Sequence, residues 1–111
     1  MSKYAQLKDV YGIIPTDEIS DTSFHDDTIT CTVAQMRQAF GEPMFFGEIG
    51  DKVNMEWSFV MEDGVVFTIY DWKEYRGLVE NSTYEWHIGA HNSASSAIAK
   101  NLCDKILLDL H

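Results

Sequence analysis

Residues 53–72, VNMEWSFVMEDGVVFTIYDW, carry the reading on which the fold turns. Two runs rich in β-branched and aromatic residues flank Glu62-Asp63-Gly64, a turn cluster with glycine last, so the stretch reads as one β-hairpin. Two registers compete. A two-residue Asp63-Gly64 turn pairs Glu62 with Val65 and Val60 with Phe67, which leaves both faces mixed. A three-residue loop with Gly64 in the left-handed conformation and a bulge beside it pairs Met61 with Val65. That register gathers Trp57, Phe59, Met61, Val65, Phe67 and Ile69 on one face. The other face then carries Asn54, Glu56, Ser58, Val60, Glu62, Val66, Thr68, Tyr70 and Trp72. A one-residue slip would invert the whole face, so the segregation of the apolar set selects the second register.

Around this hairpin the chain is sized for a single domain, residues 1–111, with one core. A hydrophobic content of 45% with 13% aromatics is that of a folded globule. Eighteen acids against eight bases leave a formal charge of −10. Such a field repels nucleic acid and anionic membrane and attracts basic surfaces. Cys31 and Cys103 stand in no CxxC or Cys/His spacing, which reads as two reduced thiols. No apolar run is long enough for a membrane span, and MSKYAQLKDVYG lacks the apolar centre of a secretory signal. The expected setting is cytoplasmic.

Elsewhere, Tyr4, Leu7, Val10 and Tyr11 recur at helical spacing before Gly12, with Pro15 just beyond. Residues 16–27 (TDEISDTSFHDD) are acidic and rich in loop formers, which predicts a surface segment, and residues 28–31 a short strand. Thr32 and Gln35 fit a capping box opening a second helix with Val33, Met36 and Phe40 on its apolar stripe. Gly41 and Pro43 end it. After the hairpin come a loop near 75–82, a strand at 84–88 with Tyr84, Trp86 and Ile88 on one side, and a helix over 93–110. Its stripe is expected to be Ile98, Leu102, Cys103, Ile106 and Leu110. The order α-β-α-β-β-β-α predicts a two-layer α+β domain: an antiparallel meander of three or four strands with helices on one face. The expected core is Trp57, Phe59, Phe67, Ile69, Trp86, Ile98, Leu102 and Ile106, with the second helix packed against it.

Catalytic and metal chemistry find no constellation. His25, His87, His91 and His111 include one i,i+4 pair, but it straddles a strand end and a loop, where that interval does not bring imidazoles together. No GxSxG context marks a serine. Cys31 adjoins a helix N-terminus, which can lower a thiol pKa, yet a small buried hydrophobe is the simpler role. No enzyme activity, metal or cofactor is expected.

Two surfaces remain as candidates. One is the outward hairpin face, with Tyr70 and Trp72 beside Glu56 and Asp71, joined by Asp26 and Asp27 from the acidic segment. An exposed Tyr/Trp pair has the composition of a protein-recognition hot spot. Residues 13–27 could equally fold over that face and bury it. The other is the strand–helix junction at residues 89–96, where Asn92, Ser93 and Ser95 open a helix and His87, His91, Lys73 and Arg76 could supply charge to a phosphate or nucleotide, its base stacked on Trp72 or Trp86. Capping alone also accounts for Asn92 and Ser93.

The run DKVNMEWSFVMEDGVVFTIYDWKEY, followed by YEWHIGAHN and a terminal helix, resembles small proteins encoded by tailed phages, in which a W…DG…TIYDWK hairpin precedes WHIG. The likeness spans about residues 28–110 and brings no catalytic signature. The shorter segment TVAQMRQAFGEP before a hairpin is also similar to the helix–hairpin unit of secreted β-lactamase-inhibitor-like domains. The phage resemblance, the small size and the charge imply a viral accessory protein that inhibits or decoys a host defence or nucleic-acid-processing protein in the host cytoplasm. Its expected partner is a host protein with a basic surface, without direct nucleic-acid or membrane contact, and a homo-oligomer stays open. The alternative is a nucleotide- or phosphate-sequestering protein that uses the 89–96 junction.

Overall fold

The turn after Met61 closes in the register that segregates the apolar side chains. Gly64 has φ 91°, a left-handed conformation in which a Cβ is disfavoured. Its N–H donates to the Met61 carbonyl (2.9 Å), and the Met61 N–H donates to the Val65 carbonyl (2.8 Å). The computed structural model describes residues 2–48 and 50–110. Its elements are α1 (Lys3–Tyr11), β1 (Ile13–Pro15), β2 (Ser23–Thr32), α2 (Val33–Phe40), β3 (Phe45–Phe46), β4 (Met55–Met61), β5 (Val66–Tyr70), β6 (Thr83–Ala90) and α3 (Ser93–Leu108). The fold is α+β, with one antiparallel sheet in the order β1-β4-β5-β6-β2 and β3 as a second partner of β4.

The β4–β5 ladder sets Trp57 opposite Ile69 and Phe59 opposite Phe67, and all four side chains are fully buried. Trp86 and Ile88 from β6, Ile29 and Cys31 from β2 and Ile13 from β1 complete that face. Against it pack Leu7 of α1, Val33, Met36 and Phe40 of α2, and Ala99, Cys103 and Ile106 of α3. The two buried indoles meet edge-on at 5.5 Å. Each finds a carbonyl for its N–H, Trp57 that of Gly41 (2.8 Å) and Trp86 that of Cys31 (3.1 Å). The Thr32–Gln35 capping box forms reciprocally at 3.0 and 2.8 Å.

The sheet is larger than three or four strands. Residues 13–15 extend it beside β4, and Phe45–Phe46 adds a short pairing to the same strand. β2 reaches back to Ser23, into the segment read as a surface loop. A bulge hides the alternation there: between Phe24↔Gly89 and Thr28↔His87, residues 25–27 stand opposite Ile88 alone, with Asp26 at φ 70°. The stripe of α3 is also turned. Its buried positions are Ser96, Ala99, Cys103 and Ile106, whereas Ile98 is 44% exposed. The side turned to the sheet carries small residues at Ser96, Ala99 and Cys103.

β1 and β2 lie on opposite edges, so residues 16–22 must cross the sheet, roughly 19 Å at the usual strand spacing. They cross the face that the helices leave open, because Asp17 and Ile19 stand beside Glu56 and Ser58. Beneath this strap Ser58 and Thr68 are buried, and the Ser58 hydroxyl donates to the Thr16 carbonyl (2.7 Å).

Replacing Phe67 with alanine should cost about 3–5 kcal/mol in urea or guanidinium unfolding, a large part of the stability of a domain this size. Gly64→Ala should cost on the order of 1 kcal/mol by the same measurement, because the left-handed conformation persists in the variant.

Candidate functional site

Strand alternation places Tyr70 of β5, His87 of β6, and Phe24 of β2 on the open face, beyond the strap. Tyr70 pairs directly with His87, and Phe24 pairs with Gly89. Glycine is required at that position, since a Cβ there would lie 2.5 Å from Thr68 Oγ1 and 3.5 Å from the Tyr70 ring. With the side chain absent, the aromatic rings close around His87. Phe24 stacks on the imidazole at 4.0 Å and 12°, Trp72 lies at 6.1 Å and 24°, and Tyr70 meets it edge-on at 5.6 Å. Trp72 remains 40% exposed and Phe24 38% exposed, so the cluster presents a contiguous aromatic surface to solvent.

A clasp at the end of β5 positions Trp72. Asp71 is fully buried, and its carboxylate accepts from the Asn54 N–H (2.8 Å), the Asn54 side-chain amide (2.8 Å) and the Met55 N–H (2.9 Å). Asn54 also donates to the Glu74 carbonyl (2.9 Å), and the Lys73 N–H donates to the Lys52 carbonyl (2.7 Å). These bonds hold the Lys52 and Lys73 ammonium groups 6.0 and 5.8 Å from the Trp72 ring. Asp71 is therefore not a partner-contacting residue, contrary to the sequence expectation. Its side chain is buried at the strand end, where the carboxylate satisfies three amide donors.

Glu56 stands across from Tyr70 in the ladder. Burial pushes its carboxyl pKa up, and among the described residues no ion pair involves it. Burial and then the Glu56 charge raise the Tyr70 phenol. Asp26 and Asp27 sit in the bulge of the edge strand β2, which follows Phe24. Tyr70, Trp72 and Glu56 thus share the open side of the sheet. No known family model and no curated protein matches this chain.

The phosphate constellation does not assemble. Asn92 caps α3 by accepting from the Ser95 N–H (2.8 Å), which commits its oxygen. His91, Ser93 and Ser95 stay at this end of the sheet, since Ala90 pairs with Phe67. Lys73 and Arg76 follow Tyr70 at the other end, roughly 20 Å away along the strands. His87 lies between them within the aromatic cluster, and Trp86 is fully buried and cannot stack on a base. Among the described residues no group of three His, Cys, Asp or Glu is placed to hold a metal, and His111 lies outside them. Burial raises the Cys31 pKa to about 12 and raises that of Cys103 as well, so neither thiol is activated. No helix among the described residues is long and apolar enough to cross a membrane.

Sequence reasoning missed Phe24 and Lys52. Phe24 was hidden by the bulge, although Ser23-Phe24 and Thr28-Ile29-Thr30-Cys31 alternate on either side of it. Lys52 is brought to Trp72 only by a backbone bond between loops, which leaves no trace in spacing.

Asp71→Ala should cost on the order of 3 kcal/mol in chemical unfolding, because buried amide donors lose their acceptor. A pH dependence follows from His87. Burial lowers its pKa in the fold, and Glu85 only partly offsets this. The unfolded imidazole takes up its proton near about pH 6.5, so stability declines as pH falls through that value and levels off below the folded pKa. His87→Gln should flatten the decline between about pH 7 and 5 in unfolding titrations compared with the parent protein.

Proposed function

We propose that this protein is a small accessory protein of phage type that binds a host protein through its open sheet face and thereby blocks or decoys a defence or nucleic-acid-processing factor in the host cytoplasm. The observation that carries the reading is the solvent-facing aromatic cluster of Phe24, Tyr70, Trp72 and His87 on that face. Buried-core aromatics with a charged rim are the composition of recognition surfaces. Lys52 and Lys73 flank Trp72 itself, while Asp17, Glu18 and Asp21 in the strap and Asp26 and Asp27 in the bulge add acidic charge to the segments that adjoin Phe24. A net charge of −10 steers such a surface toward a basic partner, whose nucleic-acid groove carboxylates can occupy in place of phosphates. Origin in a tailed phage rests on the hairpin resemblance alone. Binding requires surface rather than chemistry, and both thiols are buried and inert.

A nucleotide-binding reading keeps one supporting observation in a new place. Trp72 flanked by Lys52 and Lys73 could stack a base and hold its phosphate, away from the 89–96 junction.

Affinity capture from host extract with the parent protein and with a Tyr70→Ala/Trp72→Ala variant tests the first reading, followed by kinetics on the purified partner. The captured protein should carry a basic patch, and the variant should lose at least about tenfold in affinity. Association should slow severalfold as salt screens the field over about 8 Å, and neutralising Asp21, Asp26 and Asp27 together should weaken binding more than any single change. A thermal-shift panel of nucleotides separates the readings, since a ligand at 100 times its dissociation constant adds about 2.7 kcal/mol. A clear shift that Lys52 and Lys73 substitutions abolish would replace the decoy reading.

A further inference from the structure

The outer edge of β4 is covered by two different strands, and a gap lies between them. β1 pairs with residues 59–61 and leaves after the Thr16 N–H donates to the Ser58 carbonyl (3.1 Å). β3 pairs with residues 55–56 and arrives after the Met44 N–H donates to the Glu56 carbonyl (2.9 Å). As the strap turns away over the sheet, the two partners diverge and open a groove of about 570 Å³. Pro15, Ile19, Met44 and Phe45 supply its apolar walls, Thr16 and Asp17 line it from the strap, and Glu56 and Ser58 from the sheet.

We propose that this groove seats a basic side chain of the bound protein, an arginine or lysine whose charged end meets Glu56 and whose aliphatic stem lies between Ile19, Met44 and Phe45. The inference rests on the reading of the open face as a partner-binding surface and names the anchor within it.

Charge complementarity selects the occupant. No residue lining the groove carries a positive charge, and the Ser58 hydroxyl proton is already committed to the Thr16 carbonyl. The polar groups on offer are therefore acceptors, which disfavours an anion. A purely apolar occupant would desolvate Glu56 further without pairing it, a costly arrangement for a carboxylate. A basic side chain supplies the missing cation and also matches the walls, because arginine and lysine bury their stems along apolar surface. The volume is that of a small-ligand site, enough for one long side chain and part of its neighbour. Continuity gives the same answer. Glu56 pairs with Tyr70 across the sheet, so the residue at the groove's floor is the ladder neighbour of one in the aromatic cluster. A partner lying over Tyr70 and Trp72 reaches the groove without leaving the surface.

The test uses the full chain and a capped Leu-Arg-Leu tripeptide as probe, followed by amide chemical shifts. A tripeptide with citrulline in place of arginine keeps the shape and removes the charge. The arginine peptide should shift Phe45, Glu56 and Ser58 saturably, and the citrulline peptide should bind at least about fivefold more weakly. Glu56→Gln should narrow the difference between the two peptides and Glu56→Gln with Asp17→Asn should remove it, whereas Trp72→Ala should leave it intact. Equal binding of the two peptides, shifts centred on Trp72, or no shift up to about 10 mM overturns the proposal. The citrulline comparison is made on the parent protein, so it stands even if the Glu56 variant folds poorly. If partner capture proves indifferent to Tyr70 and Trp72 while the peptide preference holds, the open-face reading fails and the groove remains. If capture depends on them and the peptide preference is absent, only the groove is lost.

Discussion

The Met61–Val65 pairing beside Gly64 is the constraint on which the rest of the molecule depends, because it decides which side of the sheet is apolar. With that register, Trp57, Phe59, Phe67 and Ile69 form one wall, and every helix has a surface against which to bury its stripe. A slip by one residue would send these side chains to the strap side and turn Glu56, Ser58 and Thr68 toward α2 and α3. The left-handed glycine makes the turn possible, and the gain from burying the large aromatics makes it the only productive one.

Placing all three helices on one face leaves the other to be managed by loops. The strap at 16–22 covers Ser58 and Thr68 and stops there, so the sheet is closed at one end and open at the end bearing Tyr70, His87 and Trp72. The exposed edge of β2 is interrupted by the bulge and its two aspartates, a usual protection against edge-to-edge pairing. On the opposite edge, β4 has two short partners instead of one long one, and the discontinuity becomes the groove beside Glu56. The open aromatic surface and the groove are thus consequences of how a six-stranded sheet is completed from short pieces.

Buried and exposed carboxylates divide the work on this acidic chain. Asp71 is spent on structure, closing the β4 and β5 ends so that Trp72 emerges toward solvent between two lysines. Glu56 is half-buried with no ion pair among the described residues, and burial alone raises its pKa. Asp17, Glu18, Asp21 and Asp26 of the strap and bulge are exposed to solvent, and Asp27 is partly so.

Read alone, the sequence determined what local periodicity can encode: the hairpin and its faces, the Thr32–Gln35 cap, the first helix closed by Gly12, and the α+β class. These follow from residues near one another in the chain, whose preferences survive in any compact structure. Only the tertiary structure decided the remainder. Ile13–Pro15 and Phe45–Phe46 are too short to signal strands without β4 beside them, and Ser23–Thr32 is interrupted by a bulge that breaks its alternation. Ser96 is buried and Ile98 exposed, because the way α3 docks on the sheet, not hydrophobicity alone, chose the buried stripe. The same non-local geometry buried Asp71, separated Lys73 and Arg76 from the 89–96 junction, and gathered Phe24, Lys52 and His87 around Trp72. Such placements depend on which strands become neighbours, a property of the whole sheet that no window of sequence contains.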